Sequence, residues 1–137
     1  MDSPIDTKID FVIKALDDRK GKTKGGGEYW RARDIQSVLG YLRWENFENV
    51  IKKACMACES AGIDPTNQFR ETTKMVTVGS GAQVNQKDYF LSRYACYLVA
   101  MNGDTSKVEI GTAQTYFAVQ TRRQEVFDKL TDTEKRI

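Results

Sequence analysis

Ile5, Ile9, Val12, Ile13 and Leu16 recur three and four positions apart, with Asp, Lys and Thr between them. That period predicts an amphipathic helix over Pro4–Asp18. Ser3 offers a hydroxyl to the first free N–H groups, Pro4 suits the first turn, and Asp6 sits near the positive end of the helix dipole. The period stops at RKGKTKGGG, residues 19–27, a basic glycine-rich connector. Its residues read as a mobile loop or as a flexible arm that touches phosphates.

Glu28-Tyr29-Trp30 predicts a short strand, and Ala32–Leu39 a short helix stopped by Gly40, which takes a left-handed cap without steric cost. Leu42–Ser60 predicts a longer helix with Trp44, Phe47, Val50, Ile51, Ala54 and Cys58 on its inner face. Two β-rich runs, Thr72–Val78 and Val84–Phe90, flank Gly79-Ser80-Gly81 and predict a hairpin whose tip can serve as a wing. Ser92 then caps a helix over Arg93–Met101 that is apolar almost all round, which places Tyr94, Cys96, Tyr97, Leu98 and Met101 in the core. A long last helix is expected over Val108–Leu130, its stripe running through Ala113, Tyr116, Val119 or Gln120, Arg123, Val126, Phe127 and Leu130. The predicted fold class is α+β, mainly helical with a small antiparallel sheet.

A chain of 137 residues suits one compact domain, divided here into an N-terminal helix and connector (1–27) and a main domain with a long C-terminal helix (28–137). No run approaches the roughly 18 apolar residues that span a bilayer, and the N-terminus lacks a signal-peptide pattern, so a cytoplasmic location is expected. Three cysteines argue against a secreted disulfide framework. Cys55 and Cys58 form a CxxC, but the chain has no histidine and one further cysteine, so a four-ligand zinc site needs a carboxylate. They read better as small apolar residues on a packed helix, with no metal or cofactor implied.

The missing histidine also removes Ser-His-Asp and Cys-His catalysis. No phosphate-cradling GK[ST] follows the GSG turn, and no acidic nuclease signature sits on a predicted strand. A non-enzymatic role is expected. Net charge is +2 and pI about 8.4, below the value of about 9 that marks a strongly basic DNA-binding domain. Any nucleic-acid contact must then come from local clusters. Lys20, Lys22 and Lys24 on the connector make one. The predicted sequence of short helix, turn and longer helix makes another, because it follows the helix-turn-helix plan and turns Arg43, Asn46, Asn49 and Lys53 outward. Arg and Asn are the side chains that read guanine and adenine edges. A plain helical hairpin uses the same pattern without touching DNA. In the last helix Arg122 and Arg123 point to different sides. Arg122 is assigned to a phosphate or partner contact, Arg123 to a structural ion pair.

Two stretches carry a family resemblance: YFLSRYACYLVAMNGDTSKVEIGTAQTYFAVQTRRQE, from Tyr89 to Glu125, and EYWRARDIQSVLGYLRWENFENVIKKA, from Glu28 to Ala54. They closely resemble the DNA-damage-inducible protein D family of bacteria, whose N-terminal part is similar to the BRO-N domain of phage and viral regulators. The resemblance implies a BRO-N-like fold with a helix-turn-helix-like pair and a β-hairpin. It also implies a place in the bacterial DNA-damage (SOS) response and DNA repair, with DNA or a DNA-bound repair protein as partner. In that family the chain continues into a further helical region, so this sequence resembles an N-terminal portion.

Overall fold

The computed structural model describes residues 4–118. Helix α1 spans Pro4–Asp18, as its spacing predicts, and buries Val12, Ala15 and Leu16 while Phe11 and Ile13 stay exposed. One side chain joins its end to the sheet. The Lys20 N–H donates to the Asp17 carbonyl, not to that of Leu16, and the Leu16 carbonyl accepts instead from the buried Trp30 indole at 2.8 Å. A carbonyl that the helix terminus leaves without a helical partner is thereby satisfied from a strand.

Four strands, β1 (Gly21–Lys22), β2 (Glu28–Arg31), β3 (Phe69–Thr77) and β4 (Gln83–Ser92), form an antiparallel sheet in the order β1-β2-β4-β3. The basic connector, read as a mobile loop or a flexible arm, therefore folds into a small hairpin with β2. Gly21 pairs with Tyr29 and Lys22 with Glu28, while Thr23 closes the turn: its N–H donates to the Gly27 carbonyl, and its hydroxyl accepts from the Gly27 N–H at 3.0 Å. Strand pairing across a turn has no periodic signature when the strand is two residues long. The β3–β4 hairpin exists as predicted but runs further at its base, where Phe69 and Leu91 continue the buried face, while β3 stops at Thr77, one residue short of the expected Val78.

Register fixes what each face carries. Trp30, Leu91 and Phe69 lie side by side across β2, β4 and β3 and point into the core. One residue along, Arg31, Phe90 and Arg70 form the neighbouring row, and the period of two turns all three to the opposite face.

Five helices accompany the sheet among the described residues: α1, α2 (Ala32–Ile35), α3 (Trp44–Ser60), α4 (Arg93–Met101) and α5, described over 108–118. The fold is α+β. Helix α2 is a single turn, shorter than the expected Ala32–Leu39, and the chain coils on to Gly40. There the Gly40 N–H donates to Ser37, the Tyr41 N–H to Gln36, and Gly40 takes φ +86°, the Schellman stop that glycine favours. Helix α3 begins at Trp44 and not Leu42, because Arg43 is extended (φ −118°, ψ 134°), and Leu42 is left fully exposed.

Helix α4 starts at the Ser92 cap, whose hydroxyl accepts from the Ala95 N–H at 3.0 Å. Its buried residues are Ala95, Cys96, Val99 and Ala100. Of the expected core set, Cys96 is buried, Tyr94, Tyr97 and Leu98 are partly buried, and Met101 is 50% exposed. Small residues let α4 lie close to its neighbours, so the bulkier ones are turned to its flanks. Phe117 of α5 meets Trp30 edge-on at 5.1 Å, and Tyr116 donates to Asp17 of α1 at 2.5 Å. The expected continuation over Val119–Leu130 lies outside the described residues.

Candidate nucleic-acid interface

The start of α3 is clamped to β4 by a polar and aromatic cluster. The Arg33 guanidinium lies 3.9 Å over the Trp44 ring, and its Nε donates to the Lys87 carbonyl at 2.9 Å. Trp44 stacks on Tyr89. The buried Asp88 carboxylate accepts from the Arg33 N–H at 3.0 Å and the Tyr89 N–H at 2.8 Å, so a strand residue supplies the cap that Arg31 does not give α2. Tyr89 donates to Glu48 at 2.9 Å, and Lys87 pairs with Glu48 at 3.1 Å and Glu71 at 3.5 Å. Hydrogen bonding to Tyr89 and then to Glu48 raises the Lys87 pKa. For Glu48, burial pushes the pKa up, but the donors Tyr89 and Lys87 outweigh it and the carboxyl is held below its usual range. Arg33 and Lys87 are thus spent inside the molecule.

What α3 offers outward is a different set. Asn46, Asn49, Lys53 and Met56 recur at three- and four-residue intervals and are all exposed, so they share one face. Arg43, just before the helix, is exposed as well. Two of the predicted site residues, Asn46 and Lys53, therefore share one helix face, with Arg43 exposed just ahead of it, and no ion pair engages the three among the described residues.

The connector lysines lie elsewhere. Lys22 and Lys24 are exposed, whereas Lys20 is half-buried and paired with Glu28 at 3.0 Å. Glu28 also meets Arg93 at 3.7 Å. Lys22 pairs across from Glu28, beside the Tyr29–Ser92 end of the sheet, while the α3 clamp grips Lys87, five residues back along β4. At about 3.4 Å per residue the two clusters are roughly 17 Å apart along the strand. Arg122 lies outside the described residues.

One group had escaped sequence reasoning. On the open face, Arg31 and Arg70 flank Phe90 in the cross-strand row, both exposed, with the Arg31 guanidinium 4.8 Å above the Phe90 ring. Tyr29 meets Phe90 edge-on at 5.3 Å. A Cβ on Gly21 would come within 2.5 Å of the Tyr29 ring, so only glycine lets that ring lie across β1. Beside these rings is a cleft of about 400 Å³, lined by Thr23, Gly27, Glu28, Tyr29, Asn67, Arg70, Phe90 and Ser92. Alternation in EYWR and DYFLS was the available signal, since it separates Tyr29, Arg31 and Phe90 from Trp30 and Leu91.

Comparison with known proteins identifies the family. The pattern of the BRO family, N-terminal domain, matches residues 20–118. The chain belongs to the BRO family. It is also 46% identical over 117 residues to DNA damage-inducible protein D of Escherichia coli (strain K12), a match covering 82% of this chain and 43% of that protein. The chain thus spans under half the length of that relative. No solved structure matches it.

Within this BRO domain fall the connector lysines, the outward face of α3 and the row Arg31–Phe90–Arg70; Arg122 lies beyond the matched residues. Two of the three cysteines lie in the core, and Cys55 is half-buried. Cys58 is buried in α3 and donates to the Ile63 carbonyl, Cys96 is buried in α4, and burial raises the thiol pKa of both. Among the described residues, no helix of the BRO domain is long and apolar enough to cross a membrane, and no group of three or more potential metal ligands gathers.

Proposed function

We propose that this chain is a non-enzymatic nucleic-acid-binding module of the bacterial DNA-damage (SOS) response, acting in the cytoplasm. The observation that carries the reading is the outward face of α3, which follows a tight turn and offers Arg43, Asn46, Asn49 and Lys53 without ion-paired competitors among the described residues. Cation and amide groups on the second helix of such a pair suit a groove: the cations meet phosphates, and Arg and Asn match base edges. Lys22 and Lys24 add phosphate contacts at the far end of the sheet. The damage-response context comes from the similarity to DNA damage-inducible protein D.

A second reading has its own support. Leu42 is 97% exposed and Met56 66% exposed, and they bracket the α3 face with apolar surface. A protein partner, such as a DNA-bound repair protein, would cover them.

Fluorescence anisotropy with labelled oligonucleotides over a salt series separates the two. On duplex DNA, Lys22→Ala with Lys24→Ala lowers affinity for all sequences alike and flattens the salt slope by about 0.9 per lost phosphate contact. Arg43→Ala or Asn46→Ala lowers discrimination between sequences by about 1–3 kcal/mol per lost bidentate contact. Absence of binding to any oligonucleotide at low salt would reject the nucleic-acid reading and leave protein docking.

A further inference from the structure

The open face of the sheet combines features that neither the fold nor the α3 surface requires. We propose that the row Arg31–Phe90–Arg70, with Tyr29 and the adjoining cleft, is a stacking site for an unpaired nucleotide of single-stranded DNA. The proposal rests on the nucleic-acid reading above and adds to it the form of the ligand and a second site.

Three observations carry it. The first is the pairing of flat apolar faces with flat cations. Phe90 sits between two arginines on neighbouring strands, and Tyr29 stands 5.3 Å from it. A nucleotide joins a flat π-system to an anionic phosphate, so it matches a surface that sets aromatic rings beside guanidinium groups. The second is charge. Arg31 and Arg70 are exposed and have no ion pair among the described residues. The carboxylates nearby are neutralised or enclosed: Glu28 by Lys20 at 3.0 Å and Arg93 at 3.7 Å, and Asp88 by the amides it accepts from. An anion approaching this face therefore meets net positive charge. The third is shape. The cleft of about 400 Å³ lies within the range of small-ligand sites, and its lining includes Tyr29, Phe90, Arg70, Asn67 and the ion-paired Glu28.

These features also select the strand form. In a duplex each base lies inside the stack, and its π-face cannot reach a ring on a sheet. An unpaired base can splay out and stack. Arg70, exposed beside Phe90, is then placed for the phosphate.

The test uses the whole 137-residue chain. Affinities are measured for a single-stranded oligonucleotide and a duplex of equal length, together with fluorescence quenching of a 2-aminopurine in the single strand. Wild type quenches the 2-aminopurine. Tyr29→Leu with Phe90→Leu abolishes the quenching and weakens single-strand binding about 5- to 150-fold per base released. Duplex affinity stays within about twofold in that variant, and Tyr29→Phe behaves as wild type, since both rings stack.

Arg70→Ala keeps the test sound if the leucine variant does not fold. Arg70 is exposed, and its loss should flatten the single-strand salt slope by about 0.7. Equal losses on single strand and duplex, an unchanged quenching signal in the leucine variant, or an unchanged salt slope in Arg70→Ala would each overturn the stacking site while leaving the α3 reading intact. Wild type that binds neither form would overturn both.

Discussion

Replacing Trp30 by Phe removes the side chain that ties α1 to the sheet. Trp30 is fully buried, its indole donates to the Leu16 carbonyl at 2.8 Å, and its ring meets Phe117 at 5.1 Å. Two costs follow. Phenylalanine leaves roughly 40 Å³ unfilled, worth about 1 kcal/mol at roughly 24 cal/mol per Å³ of cavity. The Leu16 carbonyl, already outside the helical ladder, loses its partner in a buried position, which costs about 1–3 kcal/mol. Together they predict a loss of about 2–4 kcal/mol. With a urea slope of about 1–3 kcal/mol per molar, the unfolding midpoint falls by roughly 0.7–4 M. Far-ultraviolet circular dichroism during urea titration reads this without relying on tryptophan emission. A loss below about 0.5 kcal/mol, the range of ordinary surface changes, would refute the idea that this side chain anchors α1.

Other expectations follow from local geometry. Lys8, 2.8 Å away, holds Glu109 below its ordinary pKa of 4.5, so the pair's stabilisation is present above about pH 4.5 and lost as pH falls through the lower folded value. Glu109→Gln should therefore flatten that part of the stability curve between neutral and acid pH, as read by urea unfolding at each pH. Gly40→Ala forces φ +86° on a residue with a Cβ that would lie 3.0 Å from Glu109, and should cost about 1–2 kcal/mol in thermal unfolding. Val99→Ala should lower the urea midpoint measurably, whereas Met101→Ala should change stability by less than about 0.5 kcal/mol, the reverse of what residue size suggests.

Elements with strong local signals were readable in the sequence. The period of α1, the Ser92 cap of α4 and the Gly40 stop each depend on residues within one or two turns, and each is found in place. What escaped depends on pairing between distant segments. β1 has two residues and exists through its partner β2. The face that α4 buries was hidden because its apolar residues run all round, and contact with the neighbouring elements selects the small ones. Arg33 and Lys87 look like surface cations in sequence, yet Trp44, Glu48 and Glu71 engage them. The row Arg31–Phe90–Arg70 needs the register of three strands separated by long stretches of chain, and alternation within each strand supplies only half of that information.

The α3 face is most directly tested by backbone amide chemical-shift mapping of the isotope-labelled chain, titrated at low salt with duplex and then single-stranded oligonucleotides. On duplex, the largest changes should fall on Arg43–Lys53, with a second group at Lys22–Lys24. Shifts on single strand should add Tyr29, Arg31, Arg70 and Phe90. No shifts with either ligand, or shifts confined to α1 and the outer end of the β3–β4 hairpin, would contradict a nucleic-acid-binding role for this surface.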